Sequence, residues 1–269
     1  MKRSCLVLLF SAPFGLAGAQ DLQYPVDVAV SSKGVVYVAD NLAHALLKLE
    51  NGTVQVVAQG EGLPRTPLFG IRHIAPARDD GAWIASDPGT MKLYRIDASG
   101  NIEPIADDNR FVTPWGIAVE PSGAILVVDR VTHRLRRVTA DGVTDVAEVQ
   151  APRTILFDKE NAILVLTDRN LERVGEGGTT TPLLQTPPFE FPHDAVLHPD
   201  GNYYVSDGYA RAVWRVTPAG EVTALVQGDP LESPQGLAVD GKGDLLVADP
   251  HAKKIFQVTI KGEIIVLFP

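Results

Sequence analysis

Thiol chemistry is nearly missing from this chain. Its one cysteine, Cys5, stands close to the start, and the remaining sequence offers no disulfide and no thiolate metal site. Basic residues are also scarce, with 24 Lys and Arg against 33 Asp and Glu and a formal charge of -9. Such a surface repels nucleic-acid phosphates and anionic lipid. Beyond the first residues no apolar run approaches the roughly 20 residues a helix needs to cross a bilayer. Gly-x-Ser-x-Gly, the phosphate-binding loop and His-Glu-x-x-His are all missing, so the common signatures of serine hydrolases, nucleotide enzymes and zinc proteases are excluded.

The first 19 residues read as a secretory signal. Lys2-Arg3 precedes an apolar stretch over 5–16, and Ala17-Gly18-Ala19 supplies small residues for cleavage before Gln20. Its removal leaves 22 basic residues against 33 acidic ones and a charge of -11. The expected product is an exported protein, periplasmic or extracellular, without membrane insertion. Residues 20–269 then form one domain, because repeats fill them without a linker.

A unit of about forty residues recurs six times. Pro25-Val26-Asp27-Val28-Ala29-Val30, a turn with Gly34, and Val35-Val36-Tyr37-Val38-Ala39-Asp40 make its first half. The closing Asp returns as Asp87, Asp129, Asp168, Asp207 and Asp249, and Leu46, Leu93, Leu135, Val174, Val213 and Ile255 each follow six residues later. Turn glycines recur between the apolar runs, at Gly34, Gly81, Gly123 and Gly243 and again at Gly52, Gly100, Gly142 and Gly262. Four short strands per unit and hairpin turns predict an all-β, six-bladed β-propeller of four-stranded antiparallel blades. Each blade is expected to come from contiguous sequence, with the first and sixth meeting by side-chain packing. The six Asp residues are expected at one equivalent place, accepting backbone hydrogen bonds from the next loop. His44 and His133, four residues after such an Asp, read as loop residues. Asn51-Gly52-Thr53 fits a glycosylation acceptor as well as a hairpin turn. Proline-rich 181–189 reads as a loop covering the core or a partner contact.

The unit resembles the NHL repeat, best at Pro114-Trp115-Gly116-Ile117-Ala118-Val119 and Pro234-Gln235-Gly236-Leu237-Ala238-Val239. That resemblance implies a six-bladed propeller and no particular reaction. The fourth unit departs from it most, with Arg153-Thr154 in place of the motif's x-Gly and a short second half, which predicts a distorted blade.

Residues shared by all units build the blades, whereas singular residues at the channel mouth are candidates for function. Aligned before the innermost strands stand Val26, Arg72, Trp115, Arg153, His193 and Gln235, followed by Asp27, His73, Gly116, Thr154, Asp194 and Gly236. Arginine forks suit carboxylate or phosphate and Trp a stacking partner, so Arg72, His73, Trp115, Arg153, Asp194 and Gln235 form the candidate ligand site. The alternative is that Arg72 and Arg153 pair with Asp27 and Asp194 and simply close the channel.

Phe191-Pro192-His193-Asp194 with Ser206-Asp207-Gly208-Tyr209 resembles segments of peptidylglycine amidating lyases. This implies His193 as a zinc ligand and Tyr209 as a catalytic hydroxyl, with His73 and Asp194 the available further zinc ligands. A resemblance to gluconolactonase-like propellers would imply calcium, but no Glu or Asn stands at the six mouth positions. The leading expectation is a propeller that binds a small, anionic molecule or a protein partner. The alternative is a lyase or hydrolase using His193 and Tyr209, with zinc as the metal that the lyase resemblance implies.

Overall fold

The computed structural model describes residues 21–50, 52–78, 81–106 and 109–269. The signal segment and Asn51 of the glycosylation motif lie outside the described residues. Six antiparallel sheets of four consecutive strands span 25–59, 73–104, 114–148, 152–182, 192–227 and 237–268. These are blades 1 to 6. Each is contiguous in sequence, as the repeat requires, and blades 6 and 1 meet through packing. One apolar cluster joins Leu22, Val28, Val38 and Leu47 of the first blade region to Ala238, Leu246, Ile255 and Phe268 of the last. Among the described residues the helical content is a single 3-10 turn, Glu176–Gly178.

The innermost strands are Pro25–Val30, His73–Pro76, Pro114–Val119, Pro152–Phe157, Pro192–Leu197 and Leu237–Val239. They begin at one end of the channel, here the mouth face, and end in hairpins at the other, the hairpin face. Those hairpins need a left-handed residue. Gly34, Gly81, Gly123, Gly201 and Gly243 supply it, and Asn161 replaces glycine in blade 4 with φ 61°. His44 and His133 take the same left-handed conformation, φ 52° and 54°, in loops between the second and third strands.

Five of the six Asp residues occupy one place. Asp40, Asp87, Asp129, Asp207 and Asp249 are fully buried. Asp207, for example, accepts from the amides of Glu190, Phe191 and Ala210. This fixes the loop arriving from the previous blade and the loop that follows.

The sixth Asp does not fit the expectation. In blade 4 it is Thr167 that pairs with Pro152, as Asp207 pairs with Pro192 and Asp129 with Pro114. Asp168 stands one position later. Its amide bonds Ala151 O as the amide of Arg130 bonds Thr113 O and that of Gly208 bonds Phe191 O. The loop of blade 4 is shorter, so Leu171 rather than Val174 packs across from the second strand. The Asn170 side chain closes this short loop, bonding Leu184 O and receiving the Leu184 amide. Leu184 itself is buried beside Leu183 and Phe189, so the proline-rich segment covers core.

Candidate functional site

Bulges aim the singular residues. In blades 1, 4 and 5 the inner strand slips register between Pro25 and Asp27, Pro152 and Thr154, and Pro192 and Asp194. The extra residue of each bulge is Val26, Arg153 or His193. A bulge leaves one residue outside the ladder and turns its side chain away from the pleat. Neighbouring residues in sequence therefore serve different levels of the channel. The aligned candidates form two layers rather than one ring.

The mouth-side layer is cationic and aromatic. Arg72 donates to Gln235 Oε1 and lies 3.0 Å from His193 Nδ1, and its guanidinium sits 4.5 Å from the Trp115 ring centroid. Arg130 stacks on the same ring at 4.6 Å. The Arg153 guanidinium lies 4.1 Å from the Phe191 ring centroid and donates through Nε to Asp168. Its Nη1 and Nη2 are buried without a hydrogen-bond partner. Phe191 also meets His193 edge-on at 5.0 Å and stacks with Tyr209 at 4.6 Å. Tyr209 is 71% exposed.

Electrostatics in this layer follow from crowding and burial. Arg72 is lowered to about 10, first by desolvation, with Arg153 and Arg130 adding like-charge repulsion against the pull of Asp27 and Asp194. Arg153 is lowered by burial and then by Arg130, opposed by Asp168. Burial, followed by Arg72 and Arg153, holds His193 well below the usual histidine range. A neutral His193 whose Nδ1 accepts from Arg72 carries its proton on Nε2. That nitrogen lies against the Gly208 backbone, where a Cβ would come within 2.9 Å of it.

The inner layer is acidic. Asp27 Oδ2 lies 3.6 Å from His73 Nδ1, and Asp194 Oδ1 lies 3.6 Å from His73 Nε2. Thr154 Oγ1 is 3.2 Å from the same Nε2. Burial opposes a charged His73, yet Asp27 and Asp194 more than offset it and raise the imidazole to about 9. The Asp27 carboxyl is pushed up chiefly by burial, with Asp194 adding to the shift and His73 opposing it. Both carboxylates are tied to the next blade. Asp27 accepts the Ile74 amide at 2.8 Å and Asp194 the Leu237 amide at 2.9 Å.

The arginines therefore do not hydrogen-bond Asp27 and Asp194. Arg72 turns to Gln235 and His193, Arg153 turns to Asp168, and His73 stands between the two carboxylates instead. A cavity of about 10 Å³ lies between the layers, lined by Arg72, Trp115 and His193 on one side and Asp27, His73 and Asp194 on the other, so the side chains fill the channel at this level. On the hairpin face a funnel of about 390 Å³ leads inward to Asp27, His73 and Asp194.

Of the residues named from sequence, Arg72, Trp115, Arg153, His193, Tyr209 and Gln235 come together at the mouth. His73 and Asp194 belong to the layer beneath. The zinc set of His193, His73 and Asp194 is thus divided between layers, with His193 Nδ1 engaged by Arg72. Sequence reasoning missed Arg130 and the mouth role of Asp168. Both follow directly on the residue that closes the second strand, where Asn41, Pro88, Gly208 and Pro250 stand in other blades. A charged residue at that position was the available signal.

Comparisons agree with this architecture. The NHL repeat profile matches residues 22–49 and 111–137. No curated protein sequence matches the chain. Among solved structures it is similar to virginiamycin B lyase from Staphylococcus aureus, at 22% identity and TM-score 0.70, covering 94% of this chain and 88% of that one. A gluconolactonase from Xanthomonas campestris aligns at 13% identity and TM-score 0.75 over 92% of this chain and 88% of that one. An auxiliary nutrient binding protein from Bacteroides thetaiotaomicron aligns at 12% identity and TM-score 0.70 over 91% and 70%. At such identities the likeness establishes the propeller and leaves both binding and catalysis open.

Proposed function

We propose that this chain is an exported propeller that binds a small anionic molecule, a carboxylate or a phosphate ester, at the mouth of its channel. One observation carries the reading. Three guanidinium groups, Arg72, Arg130 and Arg153, converge on a layer in which, among the described residues, Asp168 is the one carboxylate hydrogen-bonded to them, and Arg153 retains two buried Nη atoms without partners among those residues. Burying cationic donors with unmet hydrogen bonds is costly, and an anionic ligand would offset that cost. The exposed Tyr209 ring supplies a flat face for the ligand's body, and Trp115 supports the guanidinium groups of Arg72 and Arg130 that would meet its charge. A lyase or hydrolase role for His193 and Tyr209 is the second reading, favoured by the shared mouth of the two residues. Against it, the protonated nitrogen of His193 abuts Gly208.

Trp115 makes the proposal measurable. Titrating aliphatic and aromatic mono- and dicarboxylates and phosphate esters should perturb its fluorescence and give saturable heats. Arg130→Gln should weaken that binding by about 1.5–3 kcal/mol, the contribution of one hydrogen bond to a charged group. Saturable binding of neutral analogues with equal affinity, or an unchanged affinity in Arg130→Gln, would refute the anion site.

A further inference from the structure

The carboxylates and imidazole of the inner layer are arranged as donors that lack a centre. One ligating atom from each of Asp27, His73 and Asp194 can be chosen so that all three lie within 4.8 Å of one another. Asp27 and Asp194 are buried, at 2% and 5% exposure. At 3.6 Å the contacts from His73 to both carboxylates exceed hydrogen-bond length, and Nδ1 is buried with no hydrogen-bond partner. Nε2 meets Thr154 Oγ1 at 3.2 Å, which leaves Nδ1 as the nitrogen without a hydrogen-bond partner among the described residues.

We infer that this cluster is a binding site for a divalent first-row transition-metal ion, ligated by Asp27, His73 and Asp194 and reached from the hairpin face. Four features support the assignment. One imidazole nitrogen with two carboxylates is a mixed N/O donor set, suited to zinc, manganese or iron(II) rather than to calcium, which takes six to eight oxygens. The carboxylates are held in place by the amides of Ile74, Ala195 and Leu237, the kind of outer hydrogen bonding that orients metal ligands. The funnel of about 390 Å³ gives a route inward, and apolar side chains such as Leu156, Phe157, Leu197 and Val239 line it. Three protein ligands would leave room in the coordination shell for water or a further ligand. This assignment is separate from the anion site, which lies on the other side of the plug.

The test uses the mature protein dialysed against chelator and then titrated with Zn²⁺ or Co²⁺. One equivalent should bind, Co²⁺ should give the visible absorption of a site with nitrogen and oxygen ligands, and thermal stability should rise with metal concentration. His73→Gln and Asp194→Asn should each weaken the event by at least about 10- to 100-fold, the loss that follows removal of outer hydrogen-bond partners alone. Arg130→Gln should leave it unchanged, which separates this result from the fate of the anion site. Failure of wild-type protein to bind a stoichiometric equivalent of either ion overturns the inference, whatever the variants do. Equal binding by folded His73→Gln overturns it as well, by placing the ion at exposed histidines.

Discussion

The two layers that fill the channel draw many of their side chains from neighbouring positions of the same blades, yet they solve opposite problems. At the mouth, Arg72, Arg130 and Arg153 crowd around Trp115 and Phe191 with Asp168 as their hydrogen-bonded carboxylate. A step inward, Asp27 and Asp194 flank His73, and backbone amides of the following blades complete them. The inner carboxylates are part of how blades join, whereas the outer cations join few backbone groups. Charge that is wired into the ring should matter to folding. Charge that is stacked on aromatic rings is available for a ligand.

The sharpest way to break this contrast is Asp194→Ala. It leaves the Leu237 amide and His73 without their carboxylate in a buried site, and we expect a loss of about 3–5 kcal/mol in denaturant unfolding. Arg130→Gln, half-exposed and stacked, should cost less than about 1 kcal/mol in the same assay. Equal losses would erase the distinction between the layers.

Asp168→Asn probes the mouth alone. It removes the carboxylate that Arg153 already holds, so anion binding should tighten by about 1.5–3 kcal/mol in calorimetry. Weaker binding would mean that Asp168 organises the site instead of competing for it.

Acid titration gives a smaller effect with a definite sign. His193 has its pKa depressed by burial and by Arg72 and Arg153, so the unfolded chain takes up the proton more readily than the folded one. Its contribution is neutral above the unfolded value of about 6.5, and stability falls as pH drops below it by up to about 1.4 kcal/mol per pH unit. His193→Gln keeps an acceptor for Arg72 and should flatten that slope between about pH 6.5 and 5 relative to wild type. An unchanged slope would place the acid sensitivity elsewhere.

The smallest effect is expected at the rim. Tyr209→Ala should change stability by less than about 0.5 kcal/mol, because the ring is 71% exposed, while weakening aromatic anions more than aliphatic ones. Equal weakening of both classes would argue against stacking.

Blade number, contiguity and the turn glycines were legible because each rests on local chemistry repeated six times. Left-handed hairpin positions demand glycine or asparagine, and a buried Asp can satisfy several amides wherever the loop has the same shape. Blade 4 misled the reading because Thr167 takes the Asp position and a shortened loop puts another Asp next to it. A sequence count cannot tell which of the two closes the strand. The division into layers was hidden for a related reason: alternation along a strand is readable, but the bulge that isolates Arg153 or His193 appears only once the strands are paired. Arg130 was not legible because it lies just beyond the second strand and not among the residues that precede the innermost one, where the repeat alignment looks for the mouth.

Among the described residues every sheet consists of four consecutive strands, so none of these sheets borrows a strand from elsewhere in the chain to lock the ring. The junction between blades 6 and 1 is made like the others, with Gly236 so close to Asp27 that a Cβ would come within 2.4 Å of its Cα, much as Gly116 approaches Thr154 at 2.5 Å. The ring thus has no privileged seam. Where the chain is cut becomes a matter of convenience, so a circular permutant opened between blades 2 and 3 should rebuild the same toroid with both layers of its plug intact.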